Sequence, residues 1–398
     1  MKFLVLLFFA AALSAGPGRA GNAGSDPVQP LANAGNAFGF DLLAQILKQD
    51  AGKNLFISPY SISTCLAMAC SGAGDTTRAA MTKVLHLDAM TPTDINQGNA
   101  GLKEALRSAD PKVILETANS LWTRKGFALK DEFLKSSSEE YGATARELDF
   151  DSPDAAAAIN KWVKDSTQDK IDSIVDKLDR TDMLLLLNAV YFKGTWTSVF
   201  DERLTHDGPF TAGSGGQKTV PLMHNSGHYD YFEDETVQSI RLPYGTGRLG
   251  MVILLPRKDV PLERLESELN LKTWGEWTQR LHPAVGNITL PRFKMSYEIN
   301  LNQALKTLGM GPAFDPNAAD FSGMSNTAHL HISEVMHKTF LEVNELGTEA
   351  AAVTGVRMGM KAFVPRRFIM VVDHPFLCAI ADKQTGAILF LGAIQDPA

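Results

Sequence analysis

The chain has 398 residues, 44% of them hydrophobic and 21% charged, with 38 Lys and Arg against 45 Asp and Glu for a formal net charge of −7. That acidic balance argues against a general nucleic-acid binder, which carries a basic footprint, and three cysteines exclude a scaffold built on disulfides. The length admits two or three ordinary domains or one large one, and either can bury a sizeable core.

The N-terminus reads Met1-Lys2, an apolar run Phe3–Leu13, then Ser14-Ala15-Gly16. This is the form of a secretory signal peptide over residues 1–15, with cleavage after Ala15 or Ala20. The run falls short of the ~20 apolar residues needed to span a membrane. Residues 16–32, rich in Gly, Ala, Asn and Pro, read as a flexible leader, and 33–398 as the folded domain. A helix is expected over Ala37–Lys48, where Phe38, Leu42, Leu43, Ile46 and Leu47 share a face. Another is expected over Ser61–Ala69, after Pro59. Cys65 and Cys70 point to different helical faces and, with Cys378, read as buried small hydrophobes. Lys103 and Arg107 share a helical face and are the candidate contact for a heparin-type polyanion. Further helices are expected over Ala155–Asp165 and Lys170–Leu178. Asp176, Asp179 and Asp182 step by three, a helix-surface spacing and not a calcium loop. Met183–Phe192 reads as a strand buried on both faces.

The second half alternates more, with strands expected over Gln238–Leu242, Leu249–Leu255, Phe340–Val343, Phe368–Val372 and Ala387–Leu391. Gly245-Thr-Gly247-Arg-Leu-Gly250 matches the bare dinucleotide pattern but precedes a strand instead of opening a helix, so it reads as a turn. Asn287-Ile-Thr289 is the single glycosylation sequon and abuts a strand. The pairs His224/His228 and His329/His331 lack a third ligand pattern, so no metal site is expected. No nucleophile elbow, phosphate loop or zinc-protease motif occurs, so neither enzymatic activity nor a cofactor is expected. Helices and strands interleave without a regular βαβ period, which points to one large α+β domain.

Residues 347–356 depart from this ordinary pattern. They are small, with one charge, at Glu349, and no proline interrupts 347–364. Gly347 and Gly355 bound too short a stretch for a helix stable by itself. Extended, the segment sorts Thr348, Ala350, Ala352, Thr354 and Val356 onto one small, uncharged face, and Glu349, Ala351, Val353, Gly355 and Arg357 onto the other. Every residue there can donate a ladder hydrogen bond. A strand-competent segment placed where a long surface loop is expected marks a functional loop.

Five segments, in order, resemble the serpin family of serine protease inhibitors over about residues 33–395. They are Asn54-Leu-Phe-Ile-Ser-Pro-Tyr-Ser-Ile62, Leu187-Asn-Ala-Val-Tyr-Phe-Lys-Gly-Thr-Trp196, His337-Lys with Asn344-Glu-Leu-Gly-Thr-Glu-Ala-Ala-Ala352, Asp373-His-Pro-Phe376, and Leu389-Phe-Leu-Gly-Ala-Ile394. The resemblance implies a single domain of three β-sheets and about nine helices, with an exposed reactive-centre loop at 345–367. It implies a monomeric, secreted suicide inhibitor. A protease cleaves the loop, is held as its acyl-enzyme, and is dragged as the loop inserts as a new strand of the central sheet.

Carried over residue by residue, the hinge is Glu345, Gly347, Thr348, Glu349, Ala350, Ala351, Ala352 and Val353. Glu345 would pair with Arg292 under Trp196, where insertion begins. Ser58, Ser61, Asn188 and His337 match the polar cluster beneath the parting sheet. Leu346 departs from the polar residue often found at its position. The family spacing, fourteen residues on from Gly347, puts the scissile bond at Lys361–Ala362, with Met360–Lys361 and Arg357–Met358 as alternatives. Lys361 suits a trypsin-like protease, whose pocket holds an acid. Met360 would suit a chymotrypsin-like one. Arg366 and Arg367 offer a secondary contact for an acidic protease surface. The other functional class compatible with the resemblance is a non-inhibitory carrier or binding module. With no disulfide framework indicated, no covalent tie holds the sheet against opening.

Overall fold

A computed structural model describes residues 26–327, 329–348 and 367–398. The first half runs α1 (Val28–Gln49), β1 (Leu55–Ile57), α2 (Pro59–Ser71), α3 (Asp75–Val84), α4 (Pro92–Arg107), β2 (Val113–Arg124), α5 (Asp131–Glu139), β3 (Thr144–Leu148), α6 (Ala155–Ser166) and β4 (Leu184–Thr195). Helix starts follow their capping chemistry. Ser58 caps α2, its side chain accepting from Ser61 N at 3.3 Å, with Pro59 at the first helical position. Thr91 and Asp94 form a reciprocal capping box on α4.

Two expectations from the sequence change here. Helix α1 starts at Val28, inside the stretch read as leader: Pro30 is tolerated in a first turn, and Leu31, Ala32 and Ala34 are buried. Lys170–Leu178 is not helical. Gln168 and Asp169 take positive φ (52° and 60°), which stops the chain from continuing α6. The Asn160 side chain then accepts from the backbone of Ile174 and Val175 and donates to Val175 O, holding the segment extended. Ile171, Ile174 and Val175 are buried under the sheet. The Asp176, Asp179 and Asp182 spacing is therefore not that of a helix surface; Asp182 accepts from Asp179 N in a turn.

The second half runs β5 (His206–Thr211), β6 (Gln217–Glu233), β7 (Val237–Pro243), β8 (Leu249–Pro256), α7 (Leu262–Glu268), α8 (Leu271–Gln279), β9 (His282–Pro291), β10 (Phe293–Asn300), α9 (Asn302–Leu305), α10 (Gly311–Phe314), β11 (Ile332–Asn344), β12 (Gly347–Thr348), β13 (Phe368–Val371), β14 (Phe376–Asp382) and β15 (Ile388–Ile394). A π-helical turn, Lys306–Met310, joins α9 to α10, so these make a ninth, interrupted helix after α1–α8 among the described residues. The 245–250 motif is the turn of the β7–β8 hairpin.

One sheet has the order β10-β11-β12-β4-β2-β3; a larger one runs β1-β15-β14-β8-β7-β6-β9-β13, with β5 on β6. Three sheets were expected, and the third is present as a small element of β5, β6, β9 and β13. It is continuous with the larger sheet because β6, at 17 residues, pairs into both. The apolar run of β4 is explained by burial on both faces. Leu184, Leu186, Val190 and Phe192 meet the main core, while Leu185, Leu187 and Ala189 meet Trp122 and the α6 residues Ile159 and Val163.

Candidate functional site

The first sheet is joined differently along its length. At its lower end β11 pairs directly and in parallel with β4, from Ile332 opposite Leu184 to Phe340 opposite Tyr191. At its upper end the two strands part, and β12 lies between them. Gly347 and Thr348 run antiparallel to both neighbours, Gly347 opposite Thr195 and Asn344, Thr348 opposite Gly194 and Val343. The first two residues of the strand-competent segment thus already occupy a strand position between β4 and β11.

The local chemistry holds them there. Gly347 takes φ +149°, and a Cβ on it would stand 2.0 Å from Gly194 O and 2.7 Å from Thr195 Cα, so only glycine fits. Thr348 is fully buried on the inner face, the face assigned to it by alternation, and its Oγ1 shares a 2.7 Å hydrogen bond with Tyr244 Oη. Burial keeps that phenol neutral by raising its pKa. Trp196 stacks on Tyr244, ring centroids 4.3 Å apart, and donates Nε1–H to Asn344 O at 3.0 Å. Trp196 N bonds Leu346 O at 2.9 Å, and Phe200 N bonds Glu345 O at 2.8 Å. The buried Glu345 carboxylate accepts from Thr205 Oγ1 at 2.8 Å and lies 3.5 Å from Arg292 Nη1. Arg292 and Trp196 therefore stand with Glu345 as expected.

Below this, the four expected polar residues converge. Ser58 N donates to His337 Nε2 at 3.1 Å, so that nitrogen is an acceptor and the imidazole proton sits on Nδ1, 2.5 Å from Asn188 Oδ1. Asn188 Nδ2 donates to Ser61 Oγ and to Asn119 Oδ1, while Ser61 Oγ donates to Asn119 Oδ1 at 3.0 Å. Ser58 Oγ donates to Leu389 O at 2.6 Å. Complete burial pushes the His337 pKa down to about 3, so the cluster is uncharged at neutral pH. His337 and Asn188 are also direct register partners across β11 and β4.

Sequence reading missed Tyr244, Thr205 and Asn119. No local pattern singles them out, because each reaches the site through a long-range contact. Among the expected hinge residues Glu349, Ala350, Ala351, Ala352 and Val353 lie outside the described residues, as do Lys361, Ala362 and Arg366; Arg367 is exposed. Residues 1–15, the segment expected to be a signal peptide, also lie outside them. Asn287 is exposed in β9, its Oδ1 accepting from Ser226 Oγ at 2.9 Å. Arg107 is paired with Glu104 through two hydrogen bonds of 2.9 and 2.8 Å, and Lys103 is bound to Glu139 O. Cys65, Cys70 and Cys378 are buried free thiols.

A family model described as Serpin (serine protease inhibitor) matches residues 33–397. An uncharacterized serpin-like protein of Thermococcus kodakarensis is 38% identical over 377 residues, 93% of this chain and 86% of that protein. Leukocyte elastase inhibitor of Homo sapiens is 36% identical over 382 residues, 93% of this chain and 100% of the inhibitor. Among solved structures, the thermophilic serpin tengpin in its native state aligns with a TM-score of 0.85 at 30% identity, over 92% of this chain and 94% of that one.

Proposed function

The chain belongs to the serpin family, and from that premise we propose that it is a secreted suicide inhibitor of trypsin-like serine endopeptidases, cleaved at Lys361–Ala362. The observation that carries the reading is β12, a two-residue strand seated between β4 and β11 with Thr348 facing inward. Continued in the same register, Ala350 and Ala352 would pass inside opposite Phe192 and Val190. Thr354 would arrive level with both Asn188 and His337, placing a hydroxyl in the polar cluster when those two residues are separated. Small or hydroxyl-bearing side chains are what that inner face can accept, since an unpaired charge there is costly. Glu349, the charge of 347–356, would fall on the outer face in that register.

The protein residues divide the work. Lys361 supplies the cation for the acidic pocket of a trypsin-like enzyme, whose serine takes the acyl group and releases a C-terminal fragment starting at Ala362. Glu345, held by Thr205 and Arg292, anchors the fixed end of the loop. Insertion would then add the loop to the sheet as a central strand and carry the acylated protease with it. Secretion rests on the N-terminal pattern, and glycosylation on the exposed Asn287 sequon. A heparin-type contact at Lys103 and Arg107 would have to compete with Glu104.

Incubation with trypsin is expected to yield an SDS-resistant complex, together with a fragment whose N-terminal sequence begins Ala362-Phe363. Clipping without a complex would remove trypsin-like enzymes as targets. A fragment beginning at Lys361 would shift the bond by one residue and favour chymotrypsin-like proteases.

A further inference from the structure

Away from the sheet, α2, α3, α4 and the turn after α5 line a cavity of about 360 Å³ that opens to solvent. That lies at the small end of the range for ligand clefts. Its apolar wall is aliphatic, formed by Ala67, Leu87, Met90 and Ile95. The facing wall is polar. Buried Tyr141 donates its hydroxyl to Asn96 Oδ1 at 2.6 Å.

Arg78 supplies the charge. Its Nε–H donates to Ala73 O at 2.8 Å and one Nη2–H to Ser71 O at 3.3 Å, which fix the guanidinium plane against the end of α2. Of five N–H donors, three remain. The described residues include no ion pair to Arg78; besides the carbonyl dipoles, the Asp320 carboxylate beside Gly74 acts on its charge from outside the cavity lining. The other titratable groups of the interior are neutral: burial raises Tyr141 and lifts the Cys70 thiol to about 11. Asp75 and Asp88 also line the cavity, but both are exposed at its mouth. There water and salt screen them, and they disfavour a polyanion more than a single charge.

We propose that this cavity binds a medium-chain aliphatic monocarboxylate, its carboxylate on Arg78 and its chain against Ala67, Leu87, Met90 and Ile95. The site shares no residue with the inserting strand, so binding is measured without reference to protease inhibition.

Calorimetric titration of the full chain with octanoate, and with 1-octanol as its uncharged counterpart, tests the assignment. Octanoate is expected to show one saturable site and to bind more tightly than octanol. Arg78→Gln should weaken octanoate roughly tenfold or more, the size of one lost charge-assisted contact. Ala79→Trp, an exposed substitution at the mouth, should block both ligands. Asp88→Asn should tighten octanoate at low salt, a gain that a misfolded variant would not give. No saturable octanoate binding, or binding indifferent to Arg78→Gln and Ala79→Trp, overturns the site. Equal binding of octanol, unchanged in Arg78→Gln, overturns the carboxylate.

Discussion

His337 is neutral in the folded chain because its Nε2 must accept from Ser58 N and no water reaches it. Its pKa stands near 3, against 6.5 for the free side chain. As pH falls from about 6.5 toward 3, the unfolded chain takes up a proton that the folded one refuses, so this residue's stabilising effect is complete above the window and is lost through it. The loss amounts to about 1.4 kcal/mol between pH 7.5 and 5.5. Glu266 acts in the opposite sense, since burial and Glu263 raise it to about 7 and its neutral form favours the folded state. The measurement is therefore a comparison: urea midpoints of the wild type and of His337→Gln across pH 7.5–5.5, with the variant showing the flatter acid side. Equal slopes would mean His337 is not buried neutral. Thr348 offers a sharper test of function. Thr348→Glu places a carboxylate against Tyr244 in a dry pocket, a cost on the order of 3–5 kcal/mol for an uncompensated buried charge. Trypsin should then cleave the loop with little covalent complex, and an undiminished complex yield would contradict inward seating.

Strand β12 is only two residues long, and its neighbours are longer and buried, which makes it the element most easily undone. Its register depends on one glycine, because Gly194 O lies where a Cβ of residue 347 would go. Gly347→Ala is expected to unseat β12 and leave β4 and β11 intact lower down, where they pair with each other. Hydrogen exchange should quicken by roughly tenfold or more at amides of 194–196 and 343–344, as a local opening cost of about 1.4 kcal/mol disappears. Amides of 185–190 should keep their protection. Unchanged exchange at 194–196 would show that β12 contributes nothing to closing the upper end of the sheet. The same geometry explains why Glu345 and Leu346 are so fully tied by backbone bonds: the strand turns back on itself there, and Trp196 and Phe200 bind the turn.

For the molecule as a whole, an apolar core is closed over by a sheet whose strands β4 and β11 part at the upper end around the two residues of β12 and pair directly below it. Under the proposed mechanism, insertion of the cleaved loop would extend β12 downward as β4 and β11 separate. Cleavage between Lys361 and Ala362 is expected to raise the melting temperature by roughly 10 °C or more, since each 1 kcal/mol corresponds to a few degrees in a chain of this size or larger. Calorimetry before and after limited trypsin digestion measures it. A cleaved form that melts where the intact one does would favour a carrier serpin over an inhibitor. No disulfide opposes the parting of β4 and β11, since the three cysteines are free.

The inward seating of Thr348 was legible from the residues themselves, because side-chain size and charge sort 347–356 into two faces; the rest of that segment, from Glu349 on, lies outside the described residues. The doubly buried β4, the capping of α2 by Ser58 and Pro59, and the hairpin at Gly245–Gly250 were legible for the same reason: each rests on spacing within a few residues. The helix expected over Lys170–Leu178 failed because Asn160, a residue in another element, takes hydrogen bonds that a helix would have kept internal. The start of α1 was missed because burial of Leu31 and Ala32 against the rest of the chain outweighs a composition typical of a leader. Tyr244 under Thr348, Asn119 beside Asn188, and Thr205 on Glu345 were not legible at all. Each contact joins residues far apart in the chain, and such pairings follow from how the sheets pack. The amino-acid sequence determined which segment can become a strand and which of its faces can be buried. Only the tertiary structure decided that β4 and β11 part at their upper ends around Gly347 and Thr348, because that arrangement joins two strands more than a hundred residues apart.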